Sequence, residues 1–516
     1  MAKRTVEQTR TELAGTEPSW TEQTSSGQAR AFDLLIRGGT VIDGTKAPRF
    51  AADVGICDGR IAAIGDLAGK PAARTIEADG KIVAPGFIDS HTHDDGAVLL
   101  DPQMVCKISQ GVTTVVTGNC GVSIAPLKPG TSRPMPLGLL ASGDGRNTEF
   151  ATFAEYIGAL RATPASVNVA PMAGHTALRA SVMSDLDRAA TDAEIAEMRT
   201  LVQEALDAGA LGVSTGTYYP PAEAAPTEEI IEVCRPLTGT GAVYATHMRN
   251  EADRCAESLE ESFAIGRALD VAVVISHHKL AGPANFGKSK FTLPMLRGAM
   301  QCQCVALDCY PYNASSTMLH TDPAKLQVKV VVAASKPHPE MAGRDLADIA
   351  AEWGVDRLEA AKRLQPASAI YFSMDEADVQ NILAFEPTMI GSDGLPFGER
   401  PHPRLWGTFP RVLGYYCREL ELFPLETAVW KMSGLTAKNF GIKQRGTIAI
   451  GNHADLTIFD ATTVRDTATY DAPCVPAAGI EAVIVNGALT WWQGAHQGAT
   501  AGQVITRVAP ESSASL

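Results

Sequence analysis

Eight short apolar runs rich in β-branched residues recur through the middle of the chain: Lys81–Ile88, Val112–Thr117, Val167–Met172, Leu211–Thr215, Ala242–Thr246, Val271–Ser276, Val305–Cys309 and Pro387–Gly391. Most are separated by segments of helical period and composition, such as Thr191–Ala208, Thr227–Leu237, Ala252–Leu269 and Thr292–Met300. Strands that alternate with helices pair in parallel, because each helical crossover carries the chain back to the end of the sheet where the previous strand began. Eight such units predict an α/β architecture of TIM type, a (β/α)8 barrel. The gap from Tyr312 to Ala369 is longer than any simple crossover and predicts an insertion that caps the barrel mouth.

The flanks read differently. From Phe32 onward, short β-type runs are broken by turn pairs, Gly38-Gly39, Asp43-Gly44 and Asp58-Gly59, which are hairpin signals. The same texture returns in Gly446–Asp460 and Ile480–Leu489, so one small β domain built from both chain ends is expected. The boundaries predicted are a flexible tail over 1–31, poor in apolar periodicity, then β domain over 32–85, barrel over 86–440 with the cap at about 312–369, and β domain again over 441–516.

Composition narrows the partners. Forty-four Lys and Arg against 58 Asp and Glu leave a formal charge of −14, and polyphosphate or anionic lipid would meet repulsion rather than a basic footprint. A small-molecule partner is expected, with no nucleic acid and no membrane. No apolar run approaches the length of a membrane span, and the first 31 residues lack the apolar core of a signal peptide, so the cytoplasm is the expected compartment. Ten cysteines with no C-x-x-C suggest neither a disulfide scaffold nor a zinc ribbon, and most are expected to be buried thiols.

Catalytic groups of such barrels sit at the C-terminal ends of the strands. Here the first run ends in His91-Thr92-His93-Asp94-Asp95, the second in Gly118-Asn119-Cys120-Gly121, the fifth in His247, the sixth in His277-His278-Lys279 and the eighth in Ser392-Asp393-Gly394. Taken singly, each has an ordinary structural explanation: turn histidines, a small buried thiol, a turn aspartate. Together they place imidazole, thiol and carboxylate at successive strand ends, a donor set suited to Zn²⁺. Because the set exceeds three ligands, a centre with more than one metal position is expected. Adjacent strand residues face opposite ways, so one of His277 and His278 points inward, and spacing alone does not say which.

The motifs Ala84-Pro85-Gly86-Phe87-Ile88-Asp89-Ser90-His91-Thr92-His93-Asp94-Asp95, Thr117-Gly118-Asn119-Cys120-Gly121, Tyr244-Ala245-Thr246-His247-Met248-Arg249, Ser276-His277-His278-Lys279 and Ile390-Gly391-Ser392-Asp393-Gly394-Leu395-Pro396 resemble the amidohydrolase superfamily. Within it they are similar to the N-acyl-D-amino-acid deacylases, the D-aminoacylases. The resemblance runs from about Phe32 through the C-terminal β segments, and the G-N-C-G turn is its most specific part, a cysteine standing where many relatives have a carboxylated lysine.

The resemblance implies zinc-dependent hydrolysis of N-acyl-D-amino acids to a carboxylate and a free D-amino acid. It implies one tight zinc on Cys120, His247 and His277, and a second, weaker metal position formed by His91, His93, Cys120 and Asp393. Asp393 corresponds to the proton carrier, and Lys279 and Tyr310 to the groups that hold the substrate α-carboxylate. Tyr219 and Ser316 are further substrate-contact candidates. Lys325 falls where relatives acting on hydrophobic D-amino acids place an aliphatic residue, which admits acidic side chains, D-Asp or D-Glu; the alternative is an ordinary lysine on the outer surface of the cap, in the run Asp322-Pro323-Ala324-Lys325. Tyr371 and Met374 match apolar wall positions and favour hydrophobic ones such as D-Met and D-Leu. A cyclic-amide hydrolase of hydantoinase or dihydroorotase type is the alternative enzyme, disfavoured by the cysteine turn. A catalytically dead scaffold is disfavoured because every ligand position is filled.

Overall fold

A computed structural model describes residues 31–140, 149–396, 398 and 400–508. The expected tail over 1–31 therefore lies outside the described residues, apart from Ala31. Eight parallel strands form the barrel: β1 (Phe87–Asp89), β2 (Val112–Thr117), β3 (Asn168–Pro171), β4 (Gly212–Gly216), β5 (Val243–His247), β6 (Ala272–Ile275), β7 (Val305–Cys309) and β8 (Thr388–Ile390). The ladder runs β1–β2–β3, continues from Ala173–Gly174 to β4, and passes through β5, β6 and β7 to β8. It closes between β8 and β1, where the Ser90 amide donates to the Ile390 carbonyl and Thr92 bridges Gly394.

The strands read as continuous apolar runs because both faces are buried. Inward residues Ile88, Val116, Ala170, Val243, Ala245, Val274 and Met389 pack against one another and against Leu435, Phe440 and Ile442, which plug the N-terminal end of the barrel. The residues between them, Val115, Tyr244 and Val273 among others, face the helical layer. Helix Asp192–Asp207 starts at a reciprocal capping box between Thr191 and Glu194, which satisfies donors that the first helical turn leaves free.

The first predicted run is two strands, not one. Ile82–Pro85 belongs to the nine-stranded sheet of the small domain, pairing in parallel with Phe32–Val41 and antiparallel with Leu456–Phe459. The chain changes sheets at Gly86, whose amide donates to the Asp455 carbonyl, while that of Phe87 donates to Gly111. A Cβ at position 86 would lie 2.2 Å from the Thr113 side chain, so the crossing needs glycine. The small sheet takes strands from both chain ends around a core of Leu34, Ile36, Val54, Ile56, Leu456, Ile458 and Ile484. Beyond it the chain returns to the barrel, where the Ile505 amide donates to Val169 and the Arg507 amide to Gly209.

The insertion over the mouth is a three-stranded antiparallel sheet, Ser315–Met318, Lys329–Ser335 and Ala367–Phe372, with helices Leu346–Trp353 and Arg357–Arg363. Its own core of Leu319, Val332, Leu346, Ile349, Leu364 and Ala369 lets it fold as a lid. The expectation for cysteine is corrected: only Cys120, Cys234, Cys255 and Cys309 are buried, and Cys302 and Cys304 are exposed in the turn before β7. Among the described residues no helix is long and apolar enough to cross a membrane.

Candidate metal centre

Strand ends bring the histidines, the thiol and the carboxylate together at the C-terminal mouth. His91 Nε2 lies 3.2 Å from Cys120 Sγ, which lies 3.3 Å from His277 Nε2. His93 Nε2 is 3.2 Å from Asp393 Oδ1, and His91 Nε2 is 3.7 Å from the same oxygen. The His247 and His277 rings meet edge to face at 4.3 Å between centroids. Three donor sets have all their ligand atoms within 4.8 Å of one another: His91, Cys120 and His277; His91, His93 and Asp393; and His247, Glu251 and His277.

Local backbone explains how Cys120 gets there. The turn after β2 carries positive φ at Gly118 (76°), Cys120 (55°) and Gly121 (72°), which aims the thiol across the barrel axis. A Cβ at Gly118 would fall 2.0 Å from the Met172 carbonyl oxygen, so the turn sits that close to its neighbour strand only because glycine is there. The structure also separates the paired histidines. His277 points into the mouth, whereas His278 turns outward, its Nε2 2.9 Å from Thr292 Oγ1 on helix Ser289–Ala299.

Burial sets the protonation. It lowers His91 and His277 to about 3, so both imidazoles are neutral and offer lone pairs at neutral pH. Burial also pushes the Cys120 thiol well above its ordinary range, so a thiolate there calls for a cation beside it. For Asp393, burial would favour the acid, but the Arg404 guanidinium, followed by His277, His93 and His91, holds the carboxyl well below the usual range. Buried nitrogens His91 Nδ1 and His247 Nδ1 have no hydrogen-bond partner, and His247 Nε2 has Glu251 Oε2 at 3.3 Å without a well-formed hydrogen bond. Orphaned imidazole nitrogens around a buried thiol and a carboxylate fit a zinc ion that would satisfy them.

The other anticipated residues divide. Lys279, Lys325 and Tyr371 line one cavity of about 300 Å³, together with Tyr218, Glu251, Thr317 and His320. Lys279 Nζ donates to Glu251 Oε1 at 2.6 Å and stands 5.6 Å over the Tyr310 ring. Lys325 is half-buried, its Nζ 3.9 Å above the Tyr218 ring, and is not on the outer face of the lid. Tyr219 and Ser316 line a small crevice beside His93, Cys120 and Asp393. Met374 is not brought to the cavity: its sulfur accepts from the Tyr310 hydroxyl at 3.8 Å, and it lines a separate small crevice with Tyr310 and Tyr312.

Several residues escaped the motif reading. Arg404, fully buried, places Nη1 2.9 Å from Asp393 Oδ2, donates from Nη2 to the Ser316 carbonyl and stacks on Tyr310 at 4.5 Å. It lies beyond the last strand in no recognisable motif. Glu251 follows His247 by four residues and was signalled only by that spacing. Lys107, also fully buried, donates to Asp89 and to Ser392 Oγ at 2.9 Å each and stands 3.2 Å from Asp94, tying β1 to β8.

The model of the amidohydrolase family matches residues 74–283 and 332–490. The chain belongs to the amidohydrolase family. It is 58% identical over 485 residues to a D-aminoacylase of Alcaligenes xylosoxydans xylosoxydans, covering 94% of this chain and 100% of that one. To an N-acyl-D-aspartate deacylase of the same organism it is 54% identical, over 92% and 95%. A solved N-acyl-D-glutamate deacylase from Bordetella bronchiseptica, complexed with zinc and a phosphonate mimic of the tetrahedral intermediate, superposes with a TM-score of 0.89 at 47% identity, covering 93% of this chain and 100% of that one.

Proposed function

We propose that this amidohydrolase is a zinc-dependent N-acyl-D-amino-acid deacylase that releases a carboxylate and a free D-amino acid. The observation that carries the reading is the clustering of His91 with Cys120 and His277, and of His91 and His93 with Asp393, at the buried barrel mouth near a cavity of about 300 Å³, in a chain with relatives of that activity. Cys120, His247 and His277 would hold the tight zinc, and His91, His93, Cys120 and Asp393 a second position. Zinc bound there supplies a Lewis acid for the scissile carbonyl and lowers the pKa of water.

The chain's own groups do the rest. Asp393, kept ionised by Arg404, is ready to accept the proton of the attacking water and return it to the departing nitrogen. Arg404, Lys279 and Tyr310 form a cationic and aromatic wall suited to the α-carboxylate, and a fixed carboxylate, amide and side chain define three points and hence chirality. The three-stranded lid supplies Ser315, Thr317 and Tyr371 to the cavity wall.

Within that class the reading favours acidic side chains. Lys279 is assigned to the α-carboxylate, whereas Lys325 makes no ion pair among the described residues and leans into the cavity over Tyr218. Burial lowers its pKa, a penalty that a substrate carboxylate would relieve. The test is zinc content of the purified protein with initial rates on N-acetyl D- and L-amino acids. Turnover of D-substrates alone, in proportion to zinc, is expected, and equal turnover of L-substrates would refute the assignment.

A further inference from the structure

Glu251 stands in the loop after β5, only 6% exposed, with its carbonyl accepting from the Ala281 amide. The neighbouring Asn250 is pinned as well, its amide donating to Ser258 Oγ and its side-chain oxygen accepting from Ala252 and Arg254. This fixed loop sends one carboxylate between two strand-end histidines. Oε1 lies 2.6 Å from Lys279 Nζ and 3.0 Å from His277 Nδ1, while Oε2 lies 3.3 Å from His247 Nε2.

Two groups thus touch Nδ1 of His277, since Lys279 Nζ is also 2.7 Å from it. An ammonium can only donate and an ionised carboxylate can only accept. The other nitrogen, Nε2, faces Cys120. For Nε2 to present a lone pair to a cation beside Cys120, the ring proton must sit on Nδ1, and there Glu251 is the acceptor. With Lys279 donating instead, the proton would move to Nε2 and block ligation.

We infer that Glu251 is a positioning residue of the metal centre: it selects the Nδ1-protonated tautomer of His277 by offering that nitrogen a charged acceptor in competition with the Lys279 ammonium, which it also binds. The inference rests on the zinc reading above. Although Glu251 belongs to one of the three donor sets, its Oε1 already faces Lys279 and His277 Nδ1 and its Oε2 faces His247, so its role runs through the imidazole, the arrangement by which outer groups raise ligand basicity and fix ring orientation.

The experiment loads the parent, Glu251→Gln, Glu251→Asp and Lys279→Met with one equivalent of zinc and measures competition against a chromophoric chelator at pH 7.5. The folding midpoint of each zinc-free protein is followed in parallel. Glu251→Gln keeps the shape but replaces the charged acceptor by an amide whose oxygen accepts more weakly and whose NH2 can compete for Nδ1, so a loss of zinc affinity of roughly 10- to 100-fold is expected with little change in midpoint. Glu251→Asp should retain zinc better than Glu251→Gln because the acceptor survives. Lys279→Met should hold zinc within about threefold of the parent while its KM rises. The inference is overturned if Glu251→Gln stays within about threefold of the parent, if Asp is no better than Gln, or if Lys279→Met loses as much zinc as Glu251→Gln. A parent that takes up no zinc would instead overturn the zinc reading, and this inference with it.

Discussion

Replacing Lys107 by Met should destabilise the protein by an amount that depends on pH. Lys107, Asp89 and Asp94 are each completely buried, and the lysine is the cation that balances two carboxylates. Methionine keeps most of the stem's volume, so little cavity is created and the loss is electrostatic. Asp89 retains amide donors from Ser392 at 2.7 Å and His91 at 3.3 Å. Asp94 has no such donors, and burial already raises its pKa, so in the variant it must take up a proton. Holding an ordinary carboxyl protonated costs about 1.4 kcal/mol per pH unit above its unfolded pKa of about 4. That amounts to about 4 kcal/mol at pH 7, in line with about 3–5 kcal/mol for breaking a buried pair. At pH 5 the cost falls to about 1.5 kcal/mol. The sign follows from linkage: a folded-state pKa raised above the unfolded value gives stability at low pH that is lost as pH rises, so the variant falls further behind the parent between pH 5 and 7. Urea unfolding of both proteins with chelator present, at the two pH values, measures this. A difference from the parent below about 1 kcal/mol at pH 7, or one that does not change with pH, would refute the reasoning.

Asp393→Asn removes a proton carrier while preserving shape, and kcat should fall on the order of 10²–10⁴-fold; near-normal turnover with zinc retained would exclude the role. Because Arg404 then loses its carboxylate partner, the folding midpoint must be measured alongside. Cys120→Ala should lose zinc and activity together, whereas His91→Ala should keep the tight zinc, and equal zinc loss would point to a centre anchored on His91 and His93. Lys325→Leu should shift the kcat/KM ratio of N-acetyl-D-Asp or N-acetyl-D-Glu to N-acetyl-D-Met toward Met by at least about tenfold. An unchanged ratio would show that this lysine does not touch the substrate side chain.

Much of the architecture is legible because its signals are local. Apolar β-branched runs and capped helices such as Asp192–Asp207 carry their own periodicity, and strand order in a barrel follows chain order. The division at Gly86 was not legible, since Ile82–Pro85 and Phe87–Asp89 read as one apolar run, and only the contact with Thr113 separates them.

The candidate site splits along the same line. His91, His93, Cys120, His277 and Asp393 stand in short motifs at strand ends, and the barrel places every strand end at one mouth, so the sequence alone determined that a donor cluster would form. Which way each side chain faces, and what surrounds it, depended on residues far apart in the chain. His278 is turned outward by Thr292 on the following helix, Arg404 reaches Asp393 from beyond the last strand, and Lys107 joins Asp89 to Ser392 across the closing seam. Lys325 enters the cavity only because the inserted lid folds back over Tyr218. Local spacing fixes which atoms a short segment presents; the charge and partner each atom meets arise where distant segments pack, and tertiary structure alone decided those.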